Sequence, residues 1–114
     1  MHTIRNEARG TTLAAAAREV TSPWTRFWGL MGRASLPAGD ALVFPGVKAV
    51  HTHFMRFPID VVFYDETGVV IDVAHELRPW RFSPYRRKAA GVIELPAGTA
   101  RSAKTQSGDL LSFQ

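Results

Sequence analysis

The chain has 114 residues, a formal net charge of +4 and a hydrophobic fraction of 46%, and it contains no cysteine. A chain of this length is typical of one domain of about 100–150 residues, and its apolar fraction is too high for a disordered protein. The absence of cysteine excludes disulfide bonds, thiolate zinc sites and cysteine nucleophiles. We therefore expect residues 1–114 to form a single domain, with residues 1–10 as a candidate for a poorly ordered start.

Targeting and membrane signals are missing from the sequence. The apolar run near the N-terminus, Leu13 to Ala17, lies between Arg9 and Arg18 and is shorter than the roughly 7–15 apolar residues of a secretory signal. No stretch approaches the roughly 20 apolar residues of a transmembrane helix. We predict a cytoplasmic protein with no membrane span.

The first elements along the chain differ in how clearly they are specified. Thr11 to Val20 is ambiguous, because its alanines favour a helix whereas the flanking threonines and Val20 favour a strand, which we prefer. Ser22 and Pro23 supply an N-cap and a first-turn proline, and aromatic residues then recur at helical spacing. Pro23 to Met31 is therefore predicted to be a short amphipathic helix.

The rest of the chain is a series of short apolar runs separated by glycine and proline turns, which is typical of strands. One helical turn is predicted at Thr99 to Thr105. The predicted strands are Ala41 to Phe44, Val50 to Met55, Ile59 to Tyr64, Val69 to Ala74, Val92 to Leu95 and Gly108 to Phe113.

One pair of strands is specified most clearly. Ile59 to Tyr64 is a nearly continuous apolar run, as in a strand buried on both faces. The acidic loop Asp65 to Gly68 ends in a glycine, where a hairpin needs a positive φ, so Val69 to Ala74 should pair with it antiparallel. Closely spaced strands predict an α+β fold that is mainly β: a small curled antiparallel sheet or barrel with one or two short helices.

Several segments, in this order, resemble one known family, the domain of unknown function 192, also called UPF 0127. The resemblance extends from about Arg18 to the C-terminus. It implies a small β-rich, barrel-like domain of no established biochemical function; many members carry an export leader that this chain lacks, and members often have tryptophan or glycine in place of Phe54. The segments are GLMGR from Gly29 with Leu36-Pro37, LVFP from Leu42, FMRFPIDVVFYDETGVV from Phe54, VIELPAGTA from Val92 and GDLL from Gly108.

The alternating residues His51, His53 and Met55 are a candidate metal site. On a strand they would share one face, and imidazole with thioether suits copper. The two histidines are not part of the family resemblance, and three aligned ligands converge poorly on one ion. We therefore expect no metal site and no cofactor, with Met55 in the core and the histidines at the barrel rim.

Two carboxylates stand inside apolar runs, Asp60 and Glu94. A buried carboxylate is costly unless it is paired or hydrogen-bonded, and Arg33, Arg56 and Arg81 are candidate partners. We favour a structural role, either an ion pair or the acceptance of hydrogen bonds from turn amides. The alternative is a pocket with carboxyl groups of raised pKa beside an arginine, which suits a small polar ligand or acid/base chemistry.

The segment Arg78 to Lys88 interleaves basic residues with Trp80, Phe82 and Tyr85. Such a pattern can hold phosphates and stack on bases. Pro79 and Pro84 indicate a loop, with Trp80 folded over the barrel mouth. The candidate polyanion contacts are Arg78, Arg81, Arg86, Arg87 and Lys88.

We predict from these features a non-enzymatic binding or accessory module with a site at the barrel mouth for a small polar ligand or a protein partner. Two alternatives stay open: a small enzyme that uses Asp60 or Glu94 as acid/base, and a binder of nucleic acid or acidic partners through Arg78 to Lys88, where weak non-specific polyanion binding is expected. No catalytic residue is predicted, because Ser35, Thr52 and Ser83 fall in no recognised nucleophile motif. The candidate ligand-binding residues are His53, Met55, Asp60, Trp80, Arg81 and Glu94.

Overall fold

The structure is a computed structural model that describes residues 2–21 and 35–114. Those residues form seven strands and one short helix. The strands are β1 (His2–Asn6), β2 (Thr11–Glu19), β3 (Asp40–Pro45), β4 (Ile59–Tyr64), β5 (Val70–Leu77), β6 (Gly91–Pro96) and β7 (Leu111–Phe113), and the helix α1 (Thr99–Ser102) lies between β6 and β7.

All seven strands join one curled sheet in the order β5-β4-β6-β3-β2-β1-β7. At one end its two edges meet, since the Val70 N–H donates to the carbonyl of Asp109 (2.8 Å) and the Leu111 N–H donates to that of Gly68 (2.9 Å). The sheet is therefore a half-barrel, which confirms the predicted mainly β fold. One pairing was not predicted: β2 and β3 are parallel, because the chain between Glu19 and Asp40 is long enough for a crossover.

Most predicted elements are confirmed, including the strand preferred for Thr11 to Val20 and the helical turn within Thr99 to Thr105. The predicted hairpin is also confirmed, because β4 and β5 pair antiparallel across a turn in which Gly68 has a φ of 88°. The helix predicted for Pro23 to Met31 lies outside the described residues. Within the start predicted at residues 1–10, His2–Asn6 forms β1, which pairs with both β2 and β7.

The sheet buries apolar side chains on both of its faces. Alternate residues of the central strands β4 and β6 point to opposite faces. Val62 and Ile93 belong to one core cluster, which also contains Ala100 of α1, whereas Val61 and Val92 belong to a second cluster on the other face. Burial on both faces explains why these two strands are almost continuously apolar.

Gly91 allows a close approach in the middle of this sheet. A Cβ at this position would lie 2.3 Å from Oη of Tyr64 and 2.9 Å from the carbonyl oxygen of Phe44. We expect Gly91→Ala to lower the free energy of unfolding by about 1–3 kcal/mol, the usual cost of overpacking, as measured by urea denaturation. In a Tyr64→Ala background the same change should cost less, and an equal cost in both backgrounds would contradict the proposed steric clash.

Candidate functional site

Two loops at one end of the sheet are joined by hydrogen bonds, several of which involve one buried threonine. The loops are residues 46–58, between β3 and β4, and residues 78–90, between β5 and β6. Thr52 is fully buried; its N–H donates to the carbonyl of Arg81 (2.8 Å), and its own carbonyl accepts from the N–H of Trp80 (3.0 Å). Its hydroxyl oxygen also accepts from the Arg81 N–H (2.9 Å). Thr52 therefore fixes the relative position of the two loops.

The strand predicted for Val50 to Met55 is not present, so that prediction was wrong. The segment makes only an isolated bridge between His51 and Phe82. Side-chain oxygens occupy positions that backbone carbonyls would take in a regular ladder: the Val50 N–H, for example, donates to Oγ of Ser83 (2.9 Å). Thr52 and Ser83 thus serve as hydrogen-bonding links between the loops.

The paired loops present a cluster of rings that we call the aromatic patch: His51, His53, Phe54, Trp80 and Phe82. The ring centroids of Phe54 and Trp80 are 4.7 Å apart, and those of His53 and Phe82 are 4.8 Å apart. Phe54, Trp80 and Phe82 are 58%, 53% and 76% exposed. These rings lie side by side, so they form a contiguous exposed apolar surface and not a set of single exposed residues, which are ordinary on protein surfaces.

Two of these exposed rings are carried on strained backbone. Phe54 has a φ of 65° and Trp80 a φ of 64°, in a region that bulky residues rarely adopt and that costs on the order of 1–3 kcal/mol per residue. The carbonyl of Thr52 holds the backbone at both positions. It accepts from the N–H of Trp80 itself (3.0 Å) and from the N–H of Met55, the residue after Phe54 (3.2 Å). The fold therefore holds both rings outward at a conformational cost.

His51, His53 and Met55 do not share one strand face, because no strand forms there, and the prediction that Met55 lies in the core is confirmed. Met55 is buried in the second core cluster, whereas the ring of His53 packs against that of Trp80 at 5.3 Å. Nδ1 of His53 is buried and has no hydrogen-bond partner within residues 2–21 and 35–114. In the same residues, no group of three His, Asp or Glu side chains could hold a metal ion.

The basic residues of the segment Arg78 to Lys88 lie in different environments. Arg78 and Arg81 are exposed near the aromatic patch, and neither forms an ion pair with any acidic residue that the structure describes. Arg86, in contrast, is paired with Asp72: its Nε lies 3.0 Å and its Nη2 2.5 Å from Oδ2. The charge of Arg86 is therefore largely neutralised.

Arg87 and Lys88, the last two basic residues of the segment, lie elsewhere. They line a separate hollow together with Asp65 and Glu66. Acidic neighbours reduce the positive potential there. Arg78 to Lys88 thus does not present one continuous cationic strip.

Asp60 connects two elements through its carboxylate. It is fully buried, with Oδ1 accepting from the N–H of Glu76 in β5 (2.8 Å) and Oδ2 accepting from the N–H of Ala100 in α1 (2.9 Å). Glu76 has a positive φ of 51°, so Asp60 stabilises an irregular turn of the chain as well as the helix. This geometry matches the predicted acceptance of hydrogen bonds from backbone amides.

Glu94 lies on the other face of the sheet from Asp60. Its cross-strand partners are Leu42 and Val61, both in the second core cluster, whereas Asp60 shares its face with Val62 of the first. Glu94 is only 5% exposed, and burial raises the pKa of its carboxyl to about 8. No side-chain hydrogen bond links its carboxyl to another residue of the described ranges.

The set predicted at the barrel mouth is therefore not a single site. His53 and Trp80 come together in the aromatic patch, whereas Asp60 and Glu94 do not converge. Phe54, a member of the aromatic patch, was not among the residues predicted for the site. The family resemblance implies tryptophan or glycine at this position, and only the glycine fits a positive φ.

These features define a class of protein: a small curled-sheet domain that presents an aromatic patch on two paired loops. In the described part of the chain, no helix is long and apolar enough to span a membrane. The chain belongs to the DUF192 family, described as an uncharacterised ACR, whose model matches residues 4–113.

Relatives support this membership. The chain is 42% identical over 64 residues to a UPF0127 protein of Pyrococcus abyssi. The matched residues make up 56% of this chain and 54% of that protein, so the match spans about half of that relative's length. It is 26% identical over 113 residues to a UPF0127 protein of Thermococcus sibiricus, covering 96% and 73%. A crystal structure from Sinorhizobium meliloti, described as a candidate transcription regulator, has the same fold, with 22% identity, a TM-score of 0.83 and coverage of 98% and 91%.

Proposed function

We propose that this domain is a non-enzymatic binding module and that the aromatic patch is its contact surface for a protein partner. The observation that carries the proposal is the pair Phe54 and Trp80, two exposed rings in contact, both on positive-φ backbone. Strained backbone persists where the surrounding structure over-determines it, and such strain clusters at functional sites. Aromatic residues and arginine also dominate the binding energy of protein interfaces.

The charges around the patch indicate the chemistry of the partner. Arg78 and Arg81 have no acidic partner among the described residues, so a partner with an apolar anchor and an acidic rim would complement them. A nucleic acid is less well matched. The rings of Phe54 and Trp80 meet at 59°, which makes them a packed knob more than a flat stacking platform, and Arg86 is occupied by Asp72.

The acid/base alternative has less support. Both carboxylate oxygens of Asp60 accept hydrogen bonds from backbone amides, and Glu94 lies on the opposite sheet face. The cytoplasmic location inferred from the sequence stays a prediction.

The proposal predicts that random peptides displayed against the immobilised full chain will yield binders enriched in acidic and large apolar residues. Trp80→Ala should weaken the Kd of these peptides at least tenfold, because a central aromatic side chain commonly contributes about 2 kcal/mol or more. Fluorescence anisotropy with the selected peptides gives the Kd values.

The matched control is Tyr85→Ala, which removes an exposed aromatic ring of the same loop that lies outside the patch. It should change the Kd less than twofold. Selected peptides that bind Trp80→Ala as tightly as the unmodified chain would overturn the proposal. Tighter binding of single-stranded oligonucleotides than of any selected peptide, lost in Trp80→Ala, would favour the nucleic-acid alternative.

A further inference from the structure

A second concave feature, which we call the cationic hollow, lies where α1, β5 and the chain before β2 meet. It has a volume of about 250 Å³. It contains no acidic residue and shares none with the aromatic patch. Its lining residues are Arg9, His75, Arg101, Lys104, Thr105 and Gln106.

One wall of the hollow is held by the buried carboxylate of Asp109. Its Oδ2 accepts from Nε of Arg9 (3.2 Å) and from the N–H of Gln106 (3.1 Å). The same oxygen accepts from Nδ2 of Asn6 (2.9 Å). Burial acts to raise the pKa of Asp109, but the hydrogen bonds from Asn6 and Arg9 outweigh it, and the pKa is below its ordinary value. Asp109 is thus negatively charged and binds Arg9, and its Oδ2 already accepts three hydrogen bonds.

The other two walls are positioned by Asp60. Its carboxylate accepts from the backbone amides of Glu76 and Ala100. Glu76 directly follows His75 in the chain, and Ala100 directly precedes Arg101. One fully buried side chain thus fixes the segments that carry two of the lining residues. The hollow is therefore built on the fold's buried polar network and does not depend on surface side chains alone.

The end of α1 beside the hollow does not oppose an anion. Free carbonyls at a helix C-terminus normally disfavour negative charge. Here the carbonyl of Ala100 accepts from the Thr105 N–H (2.8 Å) and that of Arg101 from the Lys104 N–H (3.0 Å). With these oxygens occupied, the side-chain cations determine the local potential.

The geometry points to an oxyanion-binding site in the cationic hollow, with a phosphate group, either inorganic phosphate or a phosphate monoester, as its ligand. Arg101 and Lys104 form no ion pair within the described residues, so two positive charges remain after Asp109 has neutralised part of the charge of Arg9. Two unmatched cations fit a dianion better than a carboxylate, and guanidinium groups bind phosphate in a bidentate manner. The volume lies below the roughly 300–1,000 Å³ of pockets for drug-sized ligands, as expected for a single phosphoryl group.

The test is a titration of the ¹⁵N-labelled full chain with inorganic phosphate and with O-phosphoserine at matched ionic strength, followed by amide NMR shifts. We expect saturable shifts concentrated at His75 and residues 101–106. The double variant Arg101→Gln/Lys104→Gln should weaken the Kd at least tenfold. The matched control Arg87→Gln/Lys88→Gln, which removes the same charge from the other hollow, should change the Kd less than twofold.

Shifts that do not saturate, or equal weakening by the two double variants, would overturn the assignment, because both results would reflect net charge alone. Tighter binding of O-phosphoserine would support a phosphoryl group on a larger molecule, and tighter binding of inorganic phosphate would support the free anion. Trp80→Ala should leave phosphate binding unchanged. The proposals for the aromatic patch and for the cationic hollow can therefore be refuted independently of each other.

Discussion

Replacing Asp60 by alanine should lower the free energy of unfolding by about 2–6 kcal/mol, because it leaves the N–H groups of Glu76 and Ala100 without an acceptor and each unsatisfied buried group costs about 1–3 kcal/mol. The loss is a large share of the roughly 5–15 kcal/mol that stabilises a domain. Urea denaturation measures it directly. Amide hydrogen exchange should also accelerate at Glu76 and Ala100, the two donors to the lost carboxylate.

Two variants separate this hydrogen-bonding role from a general effect of charge. Asp60→Asn keeps one carbonyl oxygen as acceptor but directs an NH₂ group at the second amide, so its loss of stability should be intermediate. Asp72→Asn removes a half-exposed carboxylate that pairs with Arg86, and such pairs contribute about 0–1 kcal/mol. If Asp60→Ala were as stable as the unmodified chain, Asp60 would be a residue of a functional site and not of the scaffold.

The strands predicted most accurately are those whose pattern reports burial directly. β4 and β6 are apolar on both faces because their alternate side chains enter the two core clusters on opposite sides of the sheet, and a strand buried on both faces has a nearly continuous apolar sequence. The β4–β5 turn could also be predicted from the sequence, since Asp65 accepts from the N–H groups of Thr67 (2.9 Å) and Val69 (3.0 Å). Such local side-chain to backbone bonds depend only on residues close in sequence.

The errors arise where side chains replace backbone groups or where the chain adopts rare dihedral angles. Val50 to Met55 has a strand-like composition, but hydroxyl oxygens of Thr52 and Ser83 occupy positions in its ladder. The positive φ of Phe54 has no signature in an aromatic side chain. The paired loops therefore could not be predicted in detail.

The candidate site was divided by strand register. Asp60 pairs with Leu95 and Glu94 with Val61, so the two carboxylates differ by one residue in register and point to opposite faces. A shift of one residue reverses the face of every side chain, and the sequence of separate strands does not specify it. The cationic hollow was missed for a related reason: Arg9, His75 and Arg101 are brought together only by the tertiary fold.

The second large effect is expected at Glu94, whose replacement by glutamine should remove much of the pH dependence of stability between about pH 4.5 and pH 8. Burial raises the pKa of this carboxyl from 4.5 to about 8, so the folded protein holds a proton that the unfolded chain releases. The stability from the neutral buried form is fully present below pH 4.5 and is lost as the pH rises through the folded pKa. The loss is about 1.4 kcal/mol per pH unit, on the order of 4–5 kcal/mol over the whole window.

Glu94→Gln carries a neutral group of similar shape at every pH, so its free energy of unfolding should vary less across this range. The two proteins should be similarly stable near pH 5, and the variant should be the more stable one by several kcal/mol at pH 8.5, as measured by urea denaturation at each pH. Glu66→Gln, which removes an exposed carboxylate, should follow the unmodified chain throughout. Parallel curves for Glu94→Gln and the unmodified chain would mean that the Glu94 charge is stabilised in the folded state, and Glu94 would then belong to a polar site that binds or exchanges protons, since a purely apolar environment could not hold the charged form at neutral pH.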